Sequence, residues 1–143
     1  MFIIMDTLII FKIADETIGL DIKKVREVTE LSSYVPVPKA PEFLLGLANI
    51  RGEVVPVVSL RKRLGVSGDE LCNILLVVEE EDRIAGLRID RLLGTKKIDE
   101  KLINKNSELL STRKEKDFFI GAYETEEKPI LILNLSRVFA KEG

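Results

Sequence analysis

The chain has 143 residues, which suits one compact domain or two small lobes better than two independent domains. With 22 basic against 24 acidic side chains and 6% aromatics, it lacks the basic, aromatic footprint of a nucleic-acid binder. It contains no histidine, so the usual base for a Ser or Cys nucleophile and the commonest metal ligand are both missing, and enzyme chemistry is not expected.

The first residues, Met1-Phe2-Ile3-Ile4-Met5-Asp6, are apolar but have no basic flank and no small-residue cleavage site. They do not read as a secretory signal, and no run approaches the ~18 apolar residues of a membrane span. Met5 offers an alternative start that leaves Met1 to Ile4 as an extension. Short, β-branched runs cut by Gly, Pro or charge predict strands at 8–13, 17–22, 54–58, 74–78, 84–89 and 129–133. Ala14-Asp15-Glu16 and the acidic Glu79-Glu80-Glu81-Asp82 read as solvated hairpin turns. Helical signals are short: one or two turns at 41–45, 60–64 and 136–140, with Ser59 and Asn134 as caps before the last two. Gly65-Val66-Ser67-Gly68 reads as a turn and carries no phosphate-loop or dinucleotide fingerprint. The single cysteine, Cys72, lies beside an apolar run and reads as an inert, buried thiol, consistent with a reducing cytoplasm. Many short strands with regular turns predict an all-β barrel or sandwich.

The chain also resembles itself. At an offset of 67, Ile18-Gly19-Leu20-Asp21-Ile22 falls on Ala85-Gly86-Leu87-Arg88-Ile89, and Leu8-Ile9-Ile10 on Leu75-Leu76-Val77. At an offset of 75, Gly46 meets Gly121 and Ser59-Leu60 meets Asn134-Leu135. Two blocks in the same order, each keeping a glycine, predict a duplication into β units at about 5–66 and 72–140, with exchange of strands between them allowed. Units this small have limited cores, so they are expected to pack on each other along a seam that can hold a groove.

The most unusual segment is 46–60, Gly-Leu-Ala-Asn-Ile-Arg-Gly-Glu-Val-Val-Pro-Val-Val-Ser-Leu. Asn49 to Gly52 predicts a turn between two strands, since Asn and Gly tolerate positive φ. Pro56 predicts an edge strand or a bulge, because proline cannot donate to a ladder. An edge beside an Arg-bearing turn offers a partner unpaired backbone groups. An ordinary hairpin with a solvated Arg51 explains the same residues.

The run Gly46-x-x-Asn49-Ile50-Arg51-Gly52-x-Val54-Val55-Pro56-Val57-Val58-x-Leu60 resembles the signature of CheW-type domains. So do 18–28 with Pro36-Val37-Pro38, and 86–94, in the same order and over nearly the whole chain. Ser59 departs from the acidic or amide residue often found there, and the tail before the first strand is short. The resemblance implies a single CheW-like domain over 1–143, made of two five-stranded SH3-like barrels packed on each other. It implies a non-enzymatic, cytoplasmic adaptor without cofactors, recruited to membrane-associated arrays. Its partners would be the regulatory domain of the histidine kinase CheA and the cytoplasmic tips of methyl-accepting chemoreceptors.

On that resemblance, Ile22, Val25, Val28 and Leu92 contribute to an apolar groove for a receptor helix, although core burial is the simpler account of Ile22. Arg51 and Glu27 match positions of an ion pair, Asn49 belongs to the same turn, and Gly46 and Gly52 allow close approach of a partner. The strand at 54–58 is a candidate face for the kinase. The same adaptor could serve pilus motility or another two-component array, and a small nucleic-acid-binding barrel is the alternative from a different class.

Abundant Lys, Glu, Ile and Leu, with no glutamine, resemble the composition of thermophile proteins. The expected melting midpoint, measured by circular dichroism, lies above about 60 °C. A lower midpoint removes that reading of the composition.

Overall fold

Three two-residue turns set the register of three hairpins. The computed structural model describes residues 5–111, 116–125 and 127–140, and Met1 to Ile4, with the question of the start, lie outside them. Strand β1 (Met5–Ile13) turns through Ala14 and Asp15 into β2 (Glu16–Asp21), with Ile13 opposite Glu16. Strand β4 (Leu44–Ile50) turns at Arg51-Gly52 into β5 (Glu53–Ser59), and β6 (Ile74–Glu80) at Glu81-Asp82 into β7 (Arg83–Arg88). Both residues of the last two turns have positive φ, the geometry whose twist matches the flanking strands. The remaining strands are β3 (Val25–Glu30), β8 (Arg91–Asp99), β9 (Ile103–Asn104), β10 (Phe119–Tyr123) and β11 (Ile130–Leu133). Three short helices complete the elements: α1 (Leu60–Arg63), α2 (Glu108–Ser111) and α3 (Leu135–Phe139).

The strands form two sheets, in the orders β3-β6-β7-β5-β4 and β8-β1-β2-β11-β10-β9. The fold is therefore mostly β, as expected, with one sheet of five strands and one of five plus the two-residue β9. The chain divides into two compact units, 23–92 and 1–22 with 93–143. In the first, Leu31, Ala48, Val57, Leu75 and Val77 form a buried cluster; in the second, Leu8, Ile10, Ile98, Ile130 and Ile132 do.

The sequence offsets reappear in the pairing. Ile10 opposite Gly19 in β1–β2 answers Val77 opposite Gly86 in β6–β7, 67 residues on. Gly46 opposite Val57 answers Gly121 opposite Ile132, and register shifts at Leu44/Gly46 and Phe119/Gly121 differ by the same 75. The two parallel contacts correspond as well: Val57 beside Gly86, and Ile132 beside Gly19. Even the helix starts agree. Ser59 Oγ accepts the Lys62 N–H at 3.2 Å and Asn134 Oδ1 accepts the Arg137 N–H at 3.4 Å, so both expected caps form.

Several expectations need correction. Residues 41–45 are not helical: Pro41 O accepts the Leu44 N–H in a single turn, and β4 begins at once. Strand β5 is not an edge, for it lies between β7 and β4. Leu47, opposite Pro56, spends its own N–H and carbonyl on Val35, so this pair leaves the β4–β5 ladder unbonded there. The parallel pairing with β7 begins only at Val57, and Pro56 therefore needs no donor. Strands β3, β8 and β10 lack the apolar alternation that would have announced them. On a regular period-2 strand Val25 and Val28 would fall on opposite faces; the register shift between Val25 and Glu27 instead sets them opposite Val78 and Leu76, two apart on β6.

Gly46 is held by a close approach within the chain. A Cβ there would lie 2.3 Å from Val35 O and 2.8 Å from Tyr34 Cδ2, so a close approach within the chain itself requires the glycine. Gly46→Ala should lower stability by about 3 kcal/mol or more through forced backbone displacement. Gly52→Ala, with no atom within 4 Å of the added Cβ, should cost about 1–2 kcal/mol from its positive φ. Urea unfolding of the two variants checks this, and equal costs would show that the Val35 segment yields freely.

Candidate functional site

The turn at Arg51-Gly52 is built by its own sequence. Asn49 Oδ1 accepts the Gly52 N–H at 2.9 Å, leaving the positive φ values to Arg51 and Gly52. Asn49 was expected to share that strained backbone, but its side chain serves instead. An arginine at φ 54° is uncommon, and the bend lifts its side chain away from the strands to 83% exposure. Its Nε lies 2.7 Å from Glu27 Oε2 in an ion pair, while Glu27 is only 23% exposed.

This contact crosses a distance that the strand order does not suggest. Glu27 is on β3 and Arg51 follows β4, the two opposite edges of the five-stranded sheet. The sheet must curl until its edges meet, which is the barrel-like closure expected of each unit. A second pair repeats the closure: Arg26 Nη1 lies 3.3 Å from Glu53 Oε2, and 3.7 Å from Glu79 Oε1. The register shift in β3 lets adjacent Arg26 and Glu27 both reach the hairpin, although neighbours on a regular strand point to opposite faces.

Between the curled edges lies a cavity of about 250 Å³, lined by Arg26, Glu27, Ile50, Arg51, Glu53, Val55 and Val77. Its floor is the buried Val55 and Val77, and its rim carries two arginines and two glutamates. The rim is charged, and it offers no acid–base pair or nucleophile. Among the described residues no group of three or more side chains could hold a metal ion.

The structure thus joins Glu27 with Arg51, and Asn49 with Gly52. Val25 and Val28 flank Glu27 along β3, with Val25 half-buried and Val28 41% exposed. Ile22 is 38% exposed in a 3₁₀ turn, so its expected place in the core is not observed. Leu92 lies half-buried on β8, and Gly46 sits within β4 against the Val35 backbone. Sequence reasoning passed over Arg26, Glu53 and Glu79, whose roles depend on a bulge and on closure of the sheet. No helix among the described residues is long and apolar enough to cross a membrane.

Comparison with known proteins agrees with this geometry. The family model described as CheW-like domain matches residues 7–143. The chemotaxis protein CheW of Rhizobium meliloti (strain 1021) is 29% identical over 94% of this chain and 88% of that protein. The chemotaxis protein CheW of Thermotoga maritima is 30% identical over 93% of this chain and 89% of its own length. The crystal structure of scaffolding protein TtCheW from Thermoanaerobacter tengcongensis superposes with a TM-score of 0.87 at 32% identity, covering 98% of this chain and 91% of that one.

An ion pair as exposed as Arg51–Glu27 contributes little to folding. Arg51→Ala is expected to change unfolding free energy by about 0–1 kcal/mol. Denaturant titration with unchanged slope checks this; a much larger loss would make the pair the fastener of the closed sheet.

Proposed function

The chain belongs to the CheW-like domain family, and from that premise we propose that it couples methyl-accepting chemoreceptors to the histidine kinase CheA. It is a chemotaxis scaffold and does no chemistry of its own. Its proposed partners are the regulatory domain of the kinase and the cytoplasmic tips of the receptors, which place it in the cytoplasm at membrane-associated arrays. The observation that carries this reading is the Arg51 turn: a charged, outward side chain fixed in advance by Glu27 at 2.7 Å and by a turn that Asn49 closes. A group ordered before binding loses little entropy on docking, so a modest contact can orient a partner.

Val25 and Val28 beside Glu27, together with Leu92, are the proposed receptor contacts, where an amphipathic helix lays its apolar face. Gly52 leaves the turn uncovered for a close approach, and Gly46 acts by shaping β4. Coupling of this kind requires contacts that differ between the two signalling states of the receptor, since a tether with equal affinity for both shifts nothing. The repeated pairing at offsets of 67 and 75 supports a further reading, that the chain arose by duplication of a unit now spanning about 5–66 and 72–140 with exchange of a hairpin.

A pull-down with the tagged protein from lysate of its source organism tests the assignment. Mass spectrometry should find a histidine kinase and methyl-accepting receptors, both reduced several-fold by Arg51→Ala while that variant stays folded. Recovery of components of a pilus array instead would move the adaptor to another pathway. Recovery of neither kinase nor receptors by folded protein would refute the coupling role.

A further inference from the structure

The loop joining the two sequence repeats, 65–73, carries glycines at positive φ and the exposed Asp69, the composition of a slack connection, although the Glu70 carboxylate oxygens are buried. Its bonding is that of a strap. Arg61, on α1, is buried and pairs through Nη1 with the buried carboxylate of Asp90, just beyond β7. The same guanidinium donates through Nη2 to Ser67 O at 2.7 Å. At the far end of the loop, the Cys72 thiol lies 3.1 Å from Ile89 O and 3.0 Å from Asp90 O, able to donate to either. Arg88 Nε donates back to Cys72 O at 3.0 Å, and its Nη2 to Asn73 Oδ1 at 2.6 Å. All but the Arg61–Ser67 bond join the loop or α1 to residues 88–90, where the chain turns from β7 into β8.

We propose that Arg61 and Asp90 form a latch that holds the near end of loop 65–73 against the β7–β8 junction as one local element. Arg61 grips the Asp90 carboxylate with one nitrogen and the loop backbone at Ser67 O with another. The far end of the loop is held separately, by Arg88 on Cys72 O and Asn73 Oδ1 and by the Leu31 N–H on Asn73 O, so release of the latch frees the Ser67 end and leaves the β6–β7 pairing in place. The buried position shields the pair from salt, which distinguishes it from the exposed Arg51–Glu27 contact. A scaffold that passes a conformational bias needs this connection stiff, and the latch supplies that stiffness without a disulfide or metal. The latch rests on geometry alone and stands whether or not the coupling role does.

The test is amide hydrogen exchange with mass spectrometry on the full chain, alongside the rate at which Cys72 reacts with a thiol reagent such as DTNB. In Asp90→Asn, peptides covering 65–73 should exchange about tenfold faster or more, the scale of losing one charge-assisted hydrogen bond. Cys72, at the separately held end of the loop, should react at close to its wild-type rate, and peptides from β1–β2 and β4–β5 should keep theirs. Arg61→Lys keeps the charge and loses the fork to Ser67, and should give the same local pattern at smaller amplitude. Wild-type rates throughout 65–73 in both variants would overturn the latch. So would equal acceleration of all peptides, or failure of both variants to fold, since the pair would then hold the whole unit and not a local element.

Discussion

Each sheet of this protein is completed by a hairpin from the other half of the chain. In the unit 23–92, β5 pairs in parallel with β7 through Val57 and Gly86; in the other unit, β11 pairs in parallel with β2 through Ile132 and Gly19. Parallel neighbours need a long connection, and here the remainder of each repeat provides it. Remove either hairpin and the partner sheet loses two of its strands and two of the five residues of its buried cluster: Leu75 and Val77 in one unit, Leu8 and Ile10 in the other. The halves of the sequence are therefore not the folding units, although the sequence repeats by halves.

That exchange sets the terms for the site. With β6 and β7 inserted between β3 and β5, the strands that carry Glu27 and Arg51 become the two edges of a five-stranded sheet. Twist and curl bring those edges together, and the Arg51–Glu27 and Arg26–Glu53 pairs span the meeting line. The pairs are exposed and add little energy. Their effect is to fix where a charged turn points, which is what a binding surface without chemistry requires.

The two polar clusters of this unit make opposite uses of the same chemistry. Arg51 stands in solvent, where screening keeps its ion pair weak and its guanidinium accessible. Arg61 is buried against Asp90, where an unpaired charge would be costly and the bond is therefore held shut. Accessibility to a partner and rigidity of the frame are divided between them, ten residues apart on either side of β5.

Much was legible in the sequence by itself. Strands β1, β2, β5, β6, β7 and β11 could be placed because each is an apolar, β-branched run bounded by turn residues, and that signal is local. The caps at Ser59 and Asn134 and the turns at 81–82 and 51–52 followed from side-chain chemistry within a few residues. The offsets of 67 and 75 were visible because Gly19 and Gly86 recur at the first and Gly46 and Gly121 at the second. Only the tertiary structure decided that β5 is internal, that Gly46 faces Val35, that Ile22 is exposed, and that Arg26 and Glu53 join the rim of the cavity, with Glu79 beside Arg26. Each of these depends on which strand lies next to which, and strand neighbours are chosen by burial summed over residues far apart in the chain. A sequence window records periodicity and turn chemistry; it carries no record of the pairing partner.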